Sequence, residues 1–533
     1  MTLPDNKIPI VIGVTGHRAI RDEDRVLLYE SVVTELKKLM ALCPNSPFIL
    51  LSSLAEGADL LCADAAASLG IPIRVALPME RNEFVKDLSP EGKEQFDLRC
   101  DSAEDIFTVP PTEKVPPEIT KDFLFRQAGI YISAHCHILL ALWDGAPGTS
   151  GCGTAEAVSF SLNGNYFPER GMPLRSDNNE AVISIFTPRG EHTEEVAGTA
   201  RILGNVEAVT DILKKTDEFN SLASSLSDSG ENLLPEDMHE DINLSKHEKI
   251  YSAASRLSTR YSRQYRRILA LIAVFCSVLT LSFLLYDEAE AHWMIIFCGF
   301  MLLAAFAVLR HASNTGCHRK YIEYRVLAEA FRVQAYLRYS GSSLECADLL
   351  SWTEQEETAW IMVALCTMAA SSPPGYKNDI RIPWVEGQRE YHRDAAGKAK
   401  TDLDISGKTV GTALILSIVL YISALVFEFF FGGMLGRSAV LTVNAESVRT
   451  VLKIVLGSIS AITLFIANYF GKLSLPRIYS DHIKMERFFA KVSSQLLLRG
   501  QSDELLRMLA REELTENGNW CSYERDNKPD IGI

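Results

Sequence analysis

Four apolar segments constrain this chain more than any other feature. Residues 268–285, 293–309, 410–431 and 451–470 are runs of aliphatic and aromatic side chains with almost no charge. An α-helix rises about 1.5 Å per residue, so roughly 20 such residues cross a ~30 Å hydrocarbon core. One run of this kind would read equally well as a buried core helix. Four, grouped in two pairs, favour two hairpins through a bilayer. The composition agrees: 47% of residues are hydrophobic beside 23% charged, with a mean hydropathy of +0.05, so the apolar residues are gathered into segments.

The placement of Lys and Arg predicts an orientation. "RLSTRYSRQYRR" precedes the first segment and "RHASNTGCHRK" follows the second, whereas "YDEAEAH" between them has neither Lys nor Arg. Lys398, Lys400 and Lys408 precede the third segment, and Lys472 and Arg477 follow the fourth. Arg437 and Arg449, between the third and fourth, make that hairpin a weaker vote. The expected topology is an integral protein of the inner (cytoplasmic) membrane, with both termini and the first half in the cytosol. Gly457, Ser458, Ser460 and Ala461 permit close helix approach. Glu428 and Asn468 are polar groups that prefer a protein-lined or water-lined face.

The hairpins read as a diverged duplication, because a long amphipathic helix follows each. Ile322, Val326, Ala330, Val333 and Leu337 form one stripe, and Met485, Phe489, Val492 and Leu496 another. These helices are too polar to span. They suit a cytosolic bundle, with the membrane surface as the alternative. "AWIMVALCTMAA" is too short to cross and reads as a packed or interfacial helix. The sequence divides serially: an N-terminal domain over 1–215, a flexible acidic linker over 216–250, a first hairpin with its helices over 251–371, a linker over 372–400, and a second hairpin with its helices over 401–533.

A net charge of −15 leaves no cation excess to displace the phosphate counterion atmosphere, so no nucleic-acid partner is expected. Eleven cysteines without a CxxC pair argue against a disulfide framework and a zinc ribbon. The pair His135 and His137 has no further ligand cluster nearby, so no metal is expected. The N-terminal "IPIVIGV" reads as a buried first strand and not as a signal peptide.

Over the first 215 residues, uniformly apolar strand-like runs alternate with helical patterns, which predicts an α/β domain with a parallel sheet covered on both faces. In such sheets ligands sit beyond the carboxyl ends of the strands. Three strand-to-helix loops reach that edge: "VTGHR", "SSLAEGAD" and "WDGAPGTSGCGTAE". Each presents backbone N–H groups at a helix N-terminus, where an anion is stabilised. The candidate ligand-binding residues are Thr15, Gly16, His17 and Arg18 on the first loop and Ser53, Glu56, Gly57 and Asp59 on the second. On the third they are Asp144, Gly145, Gly151, Gly153 and Thr154. Arg18 and His17 suit a phosphate. Asp59, Asp144 and Glu156 suit ribose hydroxyls or a base. Neither GxGxxG nor GxxxxGK[ST] is present.

"VTGHR", "SSLAEGAD" and "LWDGAPGTSGCGTAEAV", in that order, resemble the SLOG superfamily, which includes the DNA-processing protein Smf and the Lonely Guy phosphoribohydrolases. The hairpins with their long helices resemble the SLATT type of membrane domain. The first resemblance implies a Rossmann-like fold holding a nucleotide second messenger: an NAD or ADP-ribose derivative, or a cyclic oligonucleotide. The second implies a pore-forming effector of bacterial conflict systems. Together they imply a homo-oligomeric membrane effector of anti-phage defence that needs no cofactor. Gly151, Gly153 and Thr154 match the phosphate-cradling turn. Lonely Guy enzymes carry Pro-Gly-Gly-x-Gly-Thr-x-Glu-Glu there; this chain keeps Glu156 and has Ala157 at the second acidic position. Losing half the pair favours sensing over catalysis. The alternative is a membrane-tethered N-glycosidic nucleotide hydrolase with Glu156 as its catalytic carboxylate.

Overall fold

A computed structural model describes residues 6–148, 151–163, 181–189, 195–226, 241–288, 291–351, 358–427, 429, 439–472 and 475–526. The chain forms two compact units. The first comprises Met1–Leu257, Glu323–Ile380 and Gln501–Ser522; the second comprises Ser258–Ile322, Arg381–Gly500 and Tyr523–Ile533.

The first unit is built on a seven-stranded mixed sheet. Its strands are β1 (Ile10–Gly16), β2 (Phe48–Ser52), β3 (Ile73–Leu77), β4 (Asp105–Thr108), β5 (Ile138–Trp143), β6 (Ala181–Phe186) and β7 (Ala200–Gly204), in the order β4-β3-β2-β1-β5-β6-β7. β1 to β6 run parallel and β7 is antiparallel to β6. Successive strand residues point to opposite faces. Ile10, Ile12, Val14 and Leu50 therefore enter one core, with α1 (Arg25–Leu42), α2 (Ala58–Ser68), the short α3 (Arg81–Phe84) and α4 (Pro90–Asp101). Val11, Ile49, Leu51 and Leu139 enter the other, with α5 (Lys121–Ala134) and α6 (Thr154–Asn163). Burial on both faces is why these strands are apolar throughout. The all-parallel expectation fails at β7, whose ARILG sequence lies largely exposed at the sheet edge and, broken by Arg201, lacks the uniformly apolar run of the inner strands. β4, at four residues, is shorter still and has no readable strand pattern in the sequence.

Next come α7 (Val206–Ala223), α8 (Ile242–Glu288), α9 (Met294–Thr315), α10 (Cys317–Tyr339), α11 (Ala359–Ala369), α12 (Gly387–Val426), α13 (Ala439–Lys472), α14 (Leu475–Arg499) and α15 (Asp503–Asp526). The serial domain division needs correction, because later helices join the first unit. The expected stripe on α10 is buried, with Ile322, Val326, Ala330, Val333 and Leu337 all at or below 3% exposure. α11 packs on α7, where Phe219, Tyr324 and Trp360 form an aromatic cluster with centroids 5.7–6.4 Å apart. Arg74 on β3, also fully buried, bonds Glu104 at 3.0 Å and donates to the Ala370 carbonyl at 3.0 Å. The expected acidic linker is partly helical, since α7 runs to Ala223 and α8 starts at Ile242. Residues 227–240 of it lie outside the described residues. The second expected linker is helical from Arg381 onward, because its Ala, Arg, Lys, Glu and Gln favour a helix.

In the second unit α12 packs on α14. Met485, Phe489, Val492 and Leu496 are buried, and the His392 and His482 Nδ1 atoms lie 2.9 Å apart. A Cβ added at Gly457 on α13 would touch Leu284 on α8 at 3.1 Å, so the glycine does allow close approach. Among the described residues, four helices are long and apolar enough to cross a membrane: Ile242–Glu288, Met294–Tyr339, Arg381–Val426 and Ser447–Leu464. Phe300, Leu303, Ile415 and Leu464 on them are each more than 60% exposed. So much outward apolar surface is consistent with a membrane protein. Glu428 and the Asn468 side chain lie outside the described residues.

Candidate functional site

The strand order turns at β1, which lies between β2 and β5. Consecutive connections lead away from it in both directions, which opens a crevice at the carboxyl ends of β1 and β5. The three loops expected from the sequence meet there. His17 N–H donates to the Leu142 carbonyl at 3.1 Å, and Ala58 N–H donates to the His17 carbonyl at 3.0 Å. Two glycines make this meeting possible. Gly57 has φ +82°, and a Cβ there would collide with the Arg18 carbonyl oxygen. A Cβ at Gly16 would overlap the Cβ of Ala58. The small residues in "TGHR" and "EGAD" thus fit one loop against the other.

A cavity of about 480 Å³ opens at this edge. Its walls include Thr15, Gly16, His17, Arg18, Ser53, Asp59, Gly153 and Thr154 from among the expected residues. Asp122 and Phe125 on α5 and Arg189 beyond β6 also line it. Sequence reasoning missed these three. "TPRG" after β6 was one available signal, because it too leaves a strand at the carboxyl edge.

Glu56, Gly57, Asp144, Gly145, Gly151 and Glu156 do not line the cavity. They hold the loops that do. Glu56 accepts from Ser89 N–H at 3.1 Å and from the Ser89 hydroxyl, at the start of α4. Asp144 closes a turn by accepting from Ala146 N–H at 3.0 Å, and Gly145 within it has φ +79°. Glu156 accepts from Gly151 N–H at 3.1 Å and Gly153 N–H at 2.8 Å. It is the third residue of α6 reaching back to the residue before the helix, half of a capping box. The loop N–H groups expected to cradle a phosphate are therefore already bonded. Those of Thr154, Ala155 and Glu156, in the first turn of α6, have no partner among the described residues. They are the groups left for an anion.

Charge in the site is arranged in two groups. Arg18 lies over the Phe125 ring, 4.5 Å from its centroid. Asp59, 6% exposed, accepts from the Ser52 hydroxyl at 2.9 Å. Burial pushes its carboxyl up to about 6, opposed by that hydrogen bond, the Ala55 N–H and the nearby Arg18 charge. His17, Asp144 and Arg189 form the second group. His17 Nε2 lies 3.2 Å from Asp144 Oδ1, and Arg189 Nε lies 3.3 Å from Asp144 Oδ2. Arg189 also meets both ring nitrogens of His17, at 3.1 and 2.6 Å. Burial first, and the Arg189 charge second, hold His17 below its usual range. The imidazole is thus kept neutral as a hydrogen-bonding group.

Two guanidiniums, a helix N-terminus and the Thr154 hydroxyl around one cavity suit an anionic ligand. Asp59 and Asp122 suit its hydroxyl or amino groups. Among the described residues, no group of three His, Cys, Asp or Glu side chains is placed to hold a metal. His135 pairs with Glu345 at 3.0 Å, and His137 Nδ1 accepts from Val11 N–H at 3.1 Å. No family model and no curated protein matches this chain.

Proposed function

We propose that the protein is a nucleotide-sensing membrane effector, with a SLOG-like, Rossmann-like domain that senses and SLATT-like hairpins that act. The observation that carries this reading is the cavity at the carboxyl edge of β1 and β5, walled by Arg18, Arg189 and the start of α6. Its volume lies within the usual range for small-ligand sites. The strand order around β1 supports the Rossmann-like reading. In it, a phosphate lies on the Thr154–Glu156 N–H groups with Arg18 and Arg189 beside it, while Asp59 or Asp122 accepts from a ribose or base. The ligand is an NAD or ADP-ribose derivative or a cyclic oligonucleotide. Its binding changes how copies of the chain pack, and the spans answer by opening or disrupting the inner membrane. Three helices, α8, α10 and α15, each contribute residues to both units and are covalent routes between them. Both termini and the sensing domain are cytosolic, the protein works as a homo-oligomer, and its setting is anti-phage defence.

Sensing is favoured over hydrolysis because the Glu156 carboxylate is engaged by Gly151 and Gly153 and does not line the cavity. The test uses the full chain in detergent. Thermal shift is measured against ADP-ribose, NAD, AMP and cyclic di- and trinucleotides, and each stabilising compound is recovered for mass spectrometry. Recovery intact, with the shift lost in Arg18→Ala, supports the sensor. Recovery as base plus phosphoribose, abolished by Glu156→Gln, replaces it with the hydrolase. No shift with any compound removes the nucleotide reading.

A further inference from the structure

Arg260, Arg263 and Arg267 stand at i, i+3 and i+7 of α8, so they share one face of the helix. All three are exposed, and none has a carboxylate within ion-pair distance among the described residues. The same face continues as Leu271, Val274 and Leu281, which are 47%, 55% and 39% exposed. One outward stripe thus carries cations for about 10 Å and then aliphatic side chains into the apolar run. The far end of the helix is acidic. Asp287 and Glu288 stand there, and Glu288 pairs with Lys453 at 3.0 Å.

We propose that this stripe binds anionic phospholipid. The arginines hold the headgroup phosphate, and the Leu271–Val274 stretch of the same face carries an acyl chain. An open, water-facing row without a cavity has little to offer a small soluble phosphate. A phosphate whose tail lies on the adjoining aliphatic face gains both contacts at once. Arginine suits the task because its guanidinium matches phosphate geometry and its stem can lie along apolar surface. Each juxtamembrane cation adds about fivefold to the preference for an anionic surface. Protein function would then depend on the anionic lipid content of the bilayer. The inference rests on the membrane reading of α8.

The test reconstitutes the full chain into nanodiscs of phosphatidylcholine alone and with about 30% phosphatidylglycerol, an anionic lipid. Native mass spectrometry then counts the lipids the protein retains. The expected result is selective retention of phosphatidylglycerol. It should fall steeply in Arg260→Gln/Arg263→Gln/Arg267→Gln, survive in the matching triple Lys variant, and be unaffected by Lys491→Gln, an exposed cation on α14. Equal retention of both lipids, or full retention by the triple Gln variant, overturns the proposal. So does competition by millimolar inorganic phosphate, which would make the row a soluble-anion site. Failure of the membrane reading looks different: alkaline carbonate would strip the chain from both bilayers.

Discussion

Asp59 ties the loop of β2 to the cavity, and its burial has a measurable consequence. Its carboxyl is raised from 3.8 to about 6 in the folded chain. The folded state therefore holds this proton more tightly than the unfolded state. The stabilisation is complete below pH 4 and is lost as the pH climbs through 6. Asp59→Asn should flatten that part of the melting profile of the full chain between pH 4 and 7. An unchanged slope would mean that the carboxylate is solvated. At Gly57 the expectation concerns backbone conformation. Ala there meets both a positive φ and the Arg18 carbonyl, so Gly57→Ala should cost about 2–4 kcal/mol and weaken ligand binding with it. Residues of this kind were legible as loops in the sequence, because Gly, Ser and Asp clustered at the ends of apolar strands. Their individual roles were less legible. Glu56 and Glu156 read as ligand or catalytic groups and stand instead at helix starts. A capping carboxylate and a catalytic one share the same letter and the same spacing. Arg189 escaped notice because its partners, His17 and Asp144, lie 172 and 45 positions away, and only the fold brings them together.

Strands buried on both faces announce themselves, and five strands of the sheet were readable for that reason. β4 and β7 are edge strands, partly or largely exposed, and carry no such pattern. The helical stripes on α10 and α14 were also plain, since 3.6-residue periodicity survives any choice of partner. What they pack against was not written locally. α10 and α15 enclose Arg332, which bonds Glu329 at 2.6 Å and Glu513 at 3.0 Å. Beside them burial pushes Glu516 up to about 7, with the Glu329 charge adding to the shift. The sign is the same as for Asp59: docking of α15 is favoured while Glu516 is protonated and weakens as the pH rises through 7. Hydrogen-exchange protection in α15, taken relative to the intrinsic rate at each pH, should therefore fall between pH 5 and 8, and Glu516→Gln should remove that fall. Arg74 tests the joint between β3 and the stretch after α11. Arg74→Met leaves Glu104 with Lys246 alone and strips a donor from the Ala370 carbonyl, a loss of about 2–4 kcal/mol. Thermal melting of the full chain should report it.

At the scale of the molecule, the sequence predicted a row of modules and the chain formed two interleaved units. On the proposed membrane reading, the reason is the hairpin itself. A chain that crosses a bilayer twice must return to the side it left, so helices following each hairpin can rejoin what preceded it. α10 and α15 contribute to the first unit in this way, while α12 and α14 pair in the second. This arrangement gives the sensing reading a physical path, because elements on both sides of each hairpin belong to the unit that contains the cavity. The full chain in liposomes with a potential-sensitive dye offers the direct test of whether that path is used. A membrane potential would be set, and ADP-ribose, NAD, AMP and cyclic di- and trinucleotides would be added one at a time at the exposed α/β side. The expected result is depolarisation by one of these compounds, absent in Arg18→Ala and unaffected by Lys491→Gln. A compound that binds and leaves the potential unchanged, or a depolarisation that survives Arg18→Ala, would contradict coupling between the cavity and the spans.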